Sequence, residues 1–238
     1  MQLSPLPRAQ MLWIEGHLSI IEKLSMRSWL ANGHEVILYH YRPLSGVPDG
    51  VTLRDAREIV PENVLDRSPR HLWGVFSDIF RYHLLYQKGG IWCDADIVLL
   101  KPLEIDAVAI ASELSESGGA QATGCLLALP KEHWIAKACI AACRRIKWDK
   151  DIWGTTGPAL LSEMTDRHDL YRHLLHPDAI CPIPTWQISN VVRNEPILLP
   201  NSSGVHLYNE CWRRAGLDPN AEHHPNSLFE RLKRRYLS

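Results

Sequence analysis

Asp94 and Asp96 stand one residue apart in GGIWCDADI, residues 89–97, where an aromatic and β-branched run rises out of a double glycine. In a strand, residues i and i+2 share a face, so both carboxylates are expected to project together. Two anions that close raise each other's pKa unless positive charge lies between them. A hard divalent cation suits such a pair, since Mg²⁺ and Mn²⁺ prefer carboxylate, water and phosphate oxygens. The plainer alternative is a strand that ends in two solvated loop acids.

A second pair precedes them. Asp78 and Arg81 lie three apart in SPRHLWGVFSDIFRYHLLYQKGG, which predicts a helix over 69–88. That spacing puts them on one helix face. Asp78 sits too far from the helix start for the macrodipole to explain it, and Val75, Phe76, Ile79 and Phe80 around it are core-type residues. A structural salt bridge is one reading. The other is that the pair lines the same cleft as the two acids after the next strand.

The elements that must position these groups are legible in outline. AQMLWIEG predicts a short buried strand, Leu18–Asn32 a helix with Gly33 as its cap, and Glu35–Tyr41 a second strand. Strand–helix–strand order points to a parallel sheet with a Rossmann-like start. Residues 43–68 carry Pro43, Pro48, Gly50 and Pro61 and predict an irregular excursion. Ser68 is then expected as the N-cap of the long helix, Pro69 as its first residue and Gly89 as its C-terminal cap. Further strands are expected over Asp106–Ser112 and Gly124–Leu129, helices over Lys131–Ile146 and after the GTTGP turn at 154–158, and a late strand within SSGVHLYNECW. In a parallel sheet, ligands bind outside the carboxyl ends of the strands, where the DAD acids would lie.

Composition narrows the class. A chain of 238 residues, 45% hydrophobic and 22% charged, suits a single soluble α/β domain spanning residues 1–238. With 26 basic against 27 acidic side chains there is no basic excess, which argues against a nucleic-acid partner. The six cysteines form no CxxC pair; Cys139 and Cys143 are expected as buried free thiols, and the compartment as reducing and cytoplasmic. No run reads as a signal peptide or a transmembrane span. Nine tryptophans against three phenylalanines are expected mostly to fill core. The tail, about 225–238, predicts a basic amphipathic helix. Phe229, Leu232 and Tyr236 share one face, and Arg231, Lys233, Arg234 and Arg235 lie beside it. It could pack as a terminal helix, or rest peripherally on the anionic inner face of a membrane.

The stretch SDIFRYHLLYQKGGIWCDADI resembles the central signature of DXD glycosyltransferases of the GT-A fold. It is most similar to glycosyltransferase family 32, with its capsular-polysaccharide, mannosyl- and α-galactosyltransferases, and to the glucosylating domains of large clostridial toxins. WIEGHLS near the start, TGP at 156–158 and HLYNECW near the end resemble further family landmarks. The resemblance implies a Rossmann-like, mixed but mostly parallel sheet flanked by helices. It implies a metal-dependent, retaining transfer of a sugar from a nucleoside diphosphate, UDP ahead of GDP, to a hydroxyl of a glycan or lipid-linked glycan in polysaccharide biosynthesis.

The resemblance carries roles onto this chain as well. Asp96 would bind Mn²⁺ or Mg²⁺ directly, Asp94 would contact ribose, sugar or a metal-bound water, and His206 would be a late metal or diphosphate ligand. Asp78 and Arg81 would contact the nucleotide-sugar, Trp13 would stack on the base, and Trp212 would close over the donor. Gly157 and Pro158 would shape the acceptor side. The asparagine that family members carry after the second apolar strand is missing from SESGGAQATGCLLALP, where Glu113 and Gln121 are the polar candidates near the reacting sugar. For His206 and Trp212, ordinary packing is the competing reading.

Two rival functions fit parts of the pattern. IWCDADIVL also suits a haloacid-dehalogenase-type phosphatase, with Asp94 as nucleophile, Asp96 as acid/base and Mg²⁺ beside them. That reading needs a late acidic cluster, and TDRHD at 165–169 lacks its glycine and preceding strand. A nucleotide-sugar-binding protein without catalysis would also keep DAD, Asp78 and Arg81.

Overall fold

The computed structural model describes residues 6–148, 154–197 and 199–238, so the start of the proline-containing leader lies outside the described residues. Among the described residues ten strands follow in chain order: β1 Ala9–Leu12, β2 Gly16–His17, β3 Val36–His40, β4 Leu44–Ser45, β5 Val51–Asp55, β6 Gly90–Cys93, β7 Ile97–Leu99, β8 Ala109–Leu114, β9 Ala120–Leu129 and β10 Gly204–His206. The helices are α1 Ile20–Ala31, α2 Glu62–Leu65, α3 Trp73–Lys88, α4 Trp134–Cys143, α5 Pro158–His168, α6 Pro177–Ile180, α7 Asn209–Ala215 and α8 Leu228–Tyr236.

Six strands form the central sheet in the order β5-β3-β1-β6-β9-β8. The β1, β3, β5 and β6 pairings are parallel, whereas β9 runs antiparallel to both β6 and β8. This is the mixed, mostly parallel sheet flanked by helices that the sequence implied. The chain moves outward from β1 through β3 to β5, then returns to lay β6 on the other side of β1. The carboxyl ends of β1 and β6 therefore flank the point where strand order reverses, the usual ligand crevice of an open α/β sheet.

Side chains alternate between two cores, as strand geometry requires. Met11, Leu38, Ile91, Cys93 and Leu126 face the cluster that α1 and α8 cover. Leu12, Tyr39, Trp92 and Leu127 face the cluster built with α3, α4 and α5. Fully burying such a side chain stabilises the fold by about 1.5–3 kcal/mol, so the sheet is anchored from both sides.

Three expectations are corrected. The region over 43–68 is not wholly irregular: Val51–Asp55 forms the edge strand β5, paired in parallel with β3. Four of its five residues are exposed, so it lacks the apolar signature of an inner strand. Ser68 does not cap α3, because a 3-10 turn over Arg70–Leu72 intervenes and Leu72 takes the cap position. Asp94 and Asp96 do not lie within a strand but in the turn between β6 and β7. Gly89 does end α3, with φ +68, and a Cβ there would lie 2.5 Å from the Lys131 backbone nitrogen.

β7 leaves the main sheet and is held by α1 and β10 instead. Ser25 Oγ and Trp29 Nε1 donate to the Ile97 carbonyl at 2.8 and 3.1 Å, and Leu99 N donates to Ser28 Oγ at 2.8 Å. β10 pairs antiparallel with β7 and sets His206 opposite Ile97. This stitching satisfies backbone groups that would otherwise be buried unpaired, and it fixes the DAD turn from behind. α1 is itself capped by Ser19 and Glu22 in a reciprocal capping box.

The tail helix α8 spends its apolar face on the core. Leu228, Phe229 and Leu232 are buried, and the Phe229 ring lies 4.6 Å from that of Trp212. Lys233 pairs with Glu230, while Arg231, Arg234 and Arg235 stay exposed. All six cysteines are free, and Cys139 and Cys143 are buried as expected. No described helix is long and apolar enough to cross a membrane.

Candidate functional site

A cleft of about 200 Å³ opens at the carboxyl end of β6. Asp78, Arg81, Asp94, Asp96, Glu113 and His206 all line it, contributed by α3, the β6–β7 turn, β8 and β10. The two helix residues and the two turn acids thus share one cleft.

Arg81 is the hub. Its Nη1 lies 2.9 Å from Asp78 Oδ1, and its Nη2 donates to Asp94 Oδ1 at 2.9 Å. Thr156 Oγ1 donates to the other Asp78 oxygen at 2.6 Å, and Trp92 Nε1 donates to Asp94 Oδ1 at 2.8 Å. The guanidinium also lies 5.2 Å from the centre of the Trp92 ring. Burial pushes the Asp78 carboxyl up, more than Arg81 and Thr156 pull it down. Arg81 is held fully charged by the two carboxylates despite its own burial.

The guanidinium needs room, and Gly124 provides it: a Cβ at that position would meet Arg81 Nη1 at 1.9 Å. Gly157, at the N-terminus of α5, brings its backbone against Asp78, whose Oδ1 a Cβ would meet at 3.0 Å. Pro158 follows as the first residue of α5 and lines the cleft.

Asp96 is fixed from the opposite side. Asn209 N donates to its Oδ2 at 2.8 Å, and its carbonyl accepts from Leu207 N at 2.9 Å. The same Asn209 donates through Nδ2 to Glu22 Oε1 at 2.6 Å, which ties the start of α7 to the start of α1. His206 Nε2 lies 3.2 Å from Asp96 Oδ1 but off the line of a hydrogen bond, so that buried oxygen has no hydrogen-bond partner among the described residues. Burial would raise the Asp96 carboxyl, but His206 and the backbone N–H groups, that of Asn209 among them, together outweigh it and the net shift is downward. His206 in turn is lifted well above its ordinary value by Asp96 in spite of burial. Asp94 is pushed up to about 6 by burial, with the Asp96 charge adding to the effect and Arg81 opposing it.

Metal-ligand atoms of Asp94, Asp96 and His206 lie within 4.8 Å of one another. Two carboxylates and an imidazole, one carboxylate oxygen buried and unbonded, form a donor set that fits a hard divalent cation.

The other expected site residues are placed as follows. Glu113 lines the cleft and accepts from Gln121 Nε2 at 3.0 Å, while Gln121 itself stands behind it. Trp13 follows β1 at the reversal point and is half-buried, with its Nε1 lacking a partner among the described residues. Trp212 is a core residue rather than a wall of the cleft: its ring is fully buried against Phe229 and His223. The TDRHD stretch supplies no acid to the cleft, since Asp166 and Asp169 are exposed on and just after α5, and Asp166 accepts from Tyr171.

Gly124, Thr156 and Asn209 were not assigned roles from the sequence. Thr156 lay inside TGP and Asn209 inside HLYNECW, but each acts through a side-chain or backbone contact that spacing does not show. Tyr208, between His206 and Asn209, holds a left-handed backbone with φ +50, and its ring stacks on His206 at 3.9 Å. Such a conformation costs a non-glycine residue of order 1–3 kcal/mol, and here it sits against the cleft.

The cleft sets these carboxylates in the crevice of an open α/β sheet, at the carboxyl ends of its strands. Residues 55–115 match the family described as "Glycosyltransferase sugar-binding region containing DXD motif", a span that holds Asp78, Arg81, Asp94, Asp96 and Glu113. The chain is 27% identical over 191 residues to the lactosylceramide 4-alpha-galactosyltransferase of Mus musculus, covering 70% of this chain and 50% of that protein. It is 29% identical over 189 residues to the Rattus norvegicus protein, covering 70% and 48%. The chain spans about half the length of these two relatives. Among solved structures it is similar to the PaToxG glycosyltransferase, with TM-score 0.48, 16% identity and coverage of 69% of this chain and 70% of that one. It is also similar to the glycosyltransferase GlyE of Streptococcus pneumoniae, with TM-score 0.44, 15% identity and coverage of 73% and 46%.

Proposed function

We propose that this chain is a metal-dependent, retaining glycosyltransferase that moves a hexose from a nucleoside-diphosphate sugar, a UDP-sugar ahead of a GDP-sugar, to a hydroxyl of a glycan or lipid-linked glycan. The observation that carries the reading is the buried, unbonded Asp96 Oδ1 beside His206 and Asp94, at the reversal point of the sheet. Asp94, Asp96 and His206 would hold Mn²⁺ or Mg²⁺. Once bound, the ion offsets the charge that develops on the departing diphosphate.

The chain's own residues do the positioning. Arg81 and Trp92 fix Asp94 through Oδ1, and the Asn209 backbone fixes Asp96 through Oδ2. Asp78 and Arg81 take the donor-sugar end of the cleft, with Asp78 accepting from a sugar hydroxyl and Arg81 near the donor hydroxyls or phosphate. Trp13 stands where a base emerging at the carboxyl end of β1 would stack. Glu113 and Pro158 lie toward the acceptor, with Gln121 orienting Glu113. Preorganised charge of this kind acts without reorganising during the reaction. The relatives' names describe galactose transfer to lactosylceramide, which favours a hexose donor and a glycan acceptor. Free cysteines favour a reducing, cytoplasmic setting.

Thermal unfolding with UDP- and GDP-hexoses, each with and without Mn²⁺, tests the reading. A UDP-hexose should raise the midpoint with Mn²⁺ present and much less without it. A flat response to every donor in both conditions would overturn it.

A further inference from the structure

Behind the carboxylates, His206 turns its other ring nitrogen toward two cysteines. Cys181 Sγ lies 3.8 Å from His206 Nδ1 and 3.6 Å from Cys125 Sγ, and ligand atoms of all three fall within 4.8 Å of one another. The three residues come from β9, the end of α6 and β10, and each is more than nine-tenths buried. Packing alone accounts for two buried cysteines, which behave as small apolar residues. It does not account for an imidazole nitrogen aimed at them.

We infer that Cys125, Cys181 and His206 Nδ1 form a soft-ligand metal site for Zn²⁺, separate from the carboxylate site and joined to it through the His206 ring. Zinc bonds of about 2.3 Å to sulfur and about 2.0–2.1 Å to nitrogen in a tetrahedron give edges of about 3.8 Å for S···S and about 3.5 Å for S···N. The spacings of 3.6 and 3.8 Å lie within a few tenths of an ångström of those edges. A donor set of two sulfurs and an imidazole selects zinc-class ions over Mn²⁺ and Mg²⁺. The Tyr208 hydroxyl, buried beside Cys181 and without a hydrogen-bond partner among the described residues, is a polar atom at hand for a fourth position.

Cys125 and Cys181 each release a proton and bind as thiolates, and His206 binds as neutral imidazole with its remaining proton on Nε2. That proton then stands on the nitrogen that faces the carboxylate site, 3.2 Å from Asp96 Oδ1. With Nε2 protonated, His206 no longer offers a lone pair to an ion held by Asp94 and Asp96. Zinc at the thiols and Mn²⁺ at the carboxylates therefore oppose each other, and linkage makes the effect reciprocal. This coupling rests on the transferase reading of the carboxylate site; the thiol site does not.

Cobalt reports the site without any activity assay. One equivalent of Co²⁺ added to the full chain should give near-ultraviolet thiolate-to-metal charge-transfer absorption, which Zn²⁺ abolishes and Cys181→Ser lacks. X-ray absorption of the zinc-loaded wild-type chain should show two sulfur ligands, a readout that needs no variant to fold. No charge-transfer band, or a zinc shell of oxygen and nitrogen alone, would overturn the site. Zinc should also weaken Mn²⁺ binding about tenfold, read from the electron paramagnetic resonance of free Mn²⁺. An intact cobalt band with unchanged Mn²⁺ affinity would overturn the coupling alone. No Mn²⁺ binding at all, with the cobalt band intact, would contradict the transferase reading instead.

Discussion

Gly124 and Arg81 are in contact so close that a single methyl group would end it: a Cβ on Gly124 would lie 1.9 Å from Arg81 Nη1. The guanidinium that joins Asp78 to Asp94 is seated against bare backbone of β9. Gly124→Ala must push Arg81 off both carboxylates or bend the strand. Overpacking of this kind costs about 1–3 kcal/mol. The variant should fold with a lowered unfolding midpoint and lose most Mn²⁺-dependent turnover. Wild-type turnover in Gly124→Ala would show that the Arg81 geometry does not matter to the site.

Arg81 reaches two acids with two different nitrogens. Arg81→Met keeps most of the stem but leaves Asp78 and Asp94 without their cation. Breaking a buried ion pair by removing one partner costs about 3–5 kcal/mol. Urea unfolding should show a loss of that size at neutral pH. A loss below about 1 kcal/mol, the scale of an exposed pair, would mean that the triad is not buried as described.

His34 gives the fold an acid-sensitive joint away from the cleft. Its Nδ1 lies 2.8 Å from the Pro7 carbonyl, and its Nε2 accepts from Leu103 N at 3.0 Å. The second bond requires an unprotonated Nε2, and burial lowers the His34 pKa below its ordinary 6.5. The unfolded chain then binds the proton more readily than the folded one, so this contribution to stability is present above 6.5 and is lost as pH falls through the folded value. Thermal midpoints followed downward from neutral pH should fall, and His34→Gln should flatten that slope. An identical slope in the variant would assign the acid sensitivity to other groups.

The tail helix offers a contrast between core and surface. Phe229 is fully buried against Trp212, so Phe229→Ala should destabilise by about 3–5 kcal/mol. Replacing the exposed Arg231 and Arg234 by Gln should change stability by less than about 0.5 kcal/mol. With the apolar face already packed, attraction to anionic vesicles through this helix would be electrostatic and screened by salt. Vesicle binding that survives high salt would mean that α8 leaves the core.

The sequence made the site's main acids legible and left their supports obscure. Asp78 and Arg81 could be placed on one helix face because helical spacing is local, and the double glycine at 89–90 marked where the helix had to stop. β5 was hidden because an exposed edge strand has no apolar face to read. The turn geometry of Asp94 and Asp96 was hidden because β7 leaves the sheet, stitched to α1 by Ser25, Ser28 and Trp29 from about seventy positions away. Gly124 and the Cys125–Cys181–His206 cluster depend on contacts across 43, 56 and 25 positions, which no spacing rule encodes. Trp212 resembled a cleft residue in sequence because its neighbours do line the cleft, while helical rotation in α7 turns its ring inward.

The central claim is that Asp96 holds a divalent ion against a nucleoside diphosphate, and Asp96→Asn tests it most directly. The amide oxygen can still accept from Asn209 N, so the fold is kept while the charge is removed. The measurement is Mn²⁺-dependent release of UDP from a UDP-hexose, with circular dichroism to establish that the variant is folded. A loss of about 4 kcal/mol of transition-state stabilisation, or roughly a thousandfold in rate, is the predicted result. A folded Asp96→Asn protein with near wild-type UDP release, or wild-type release of phosphate with a phosphorylated Asp94, would contradict it.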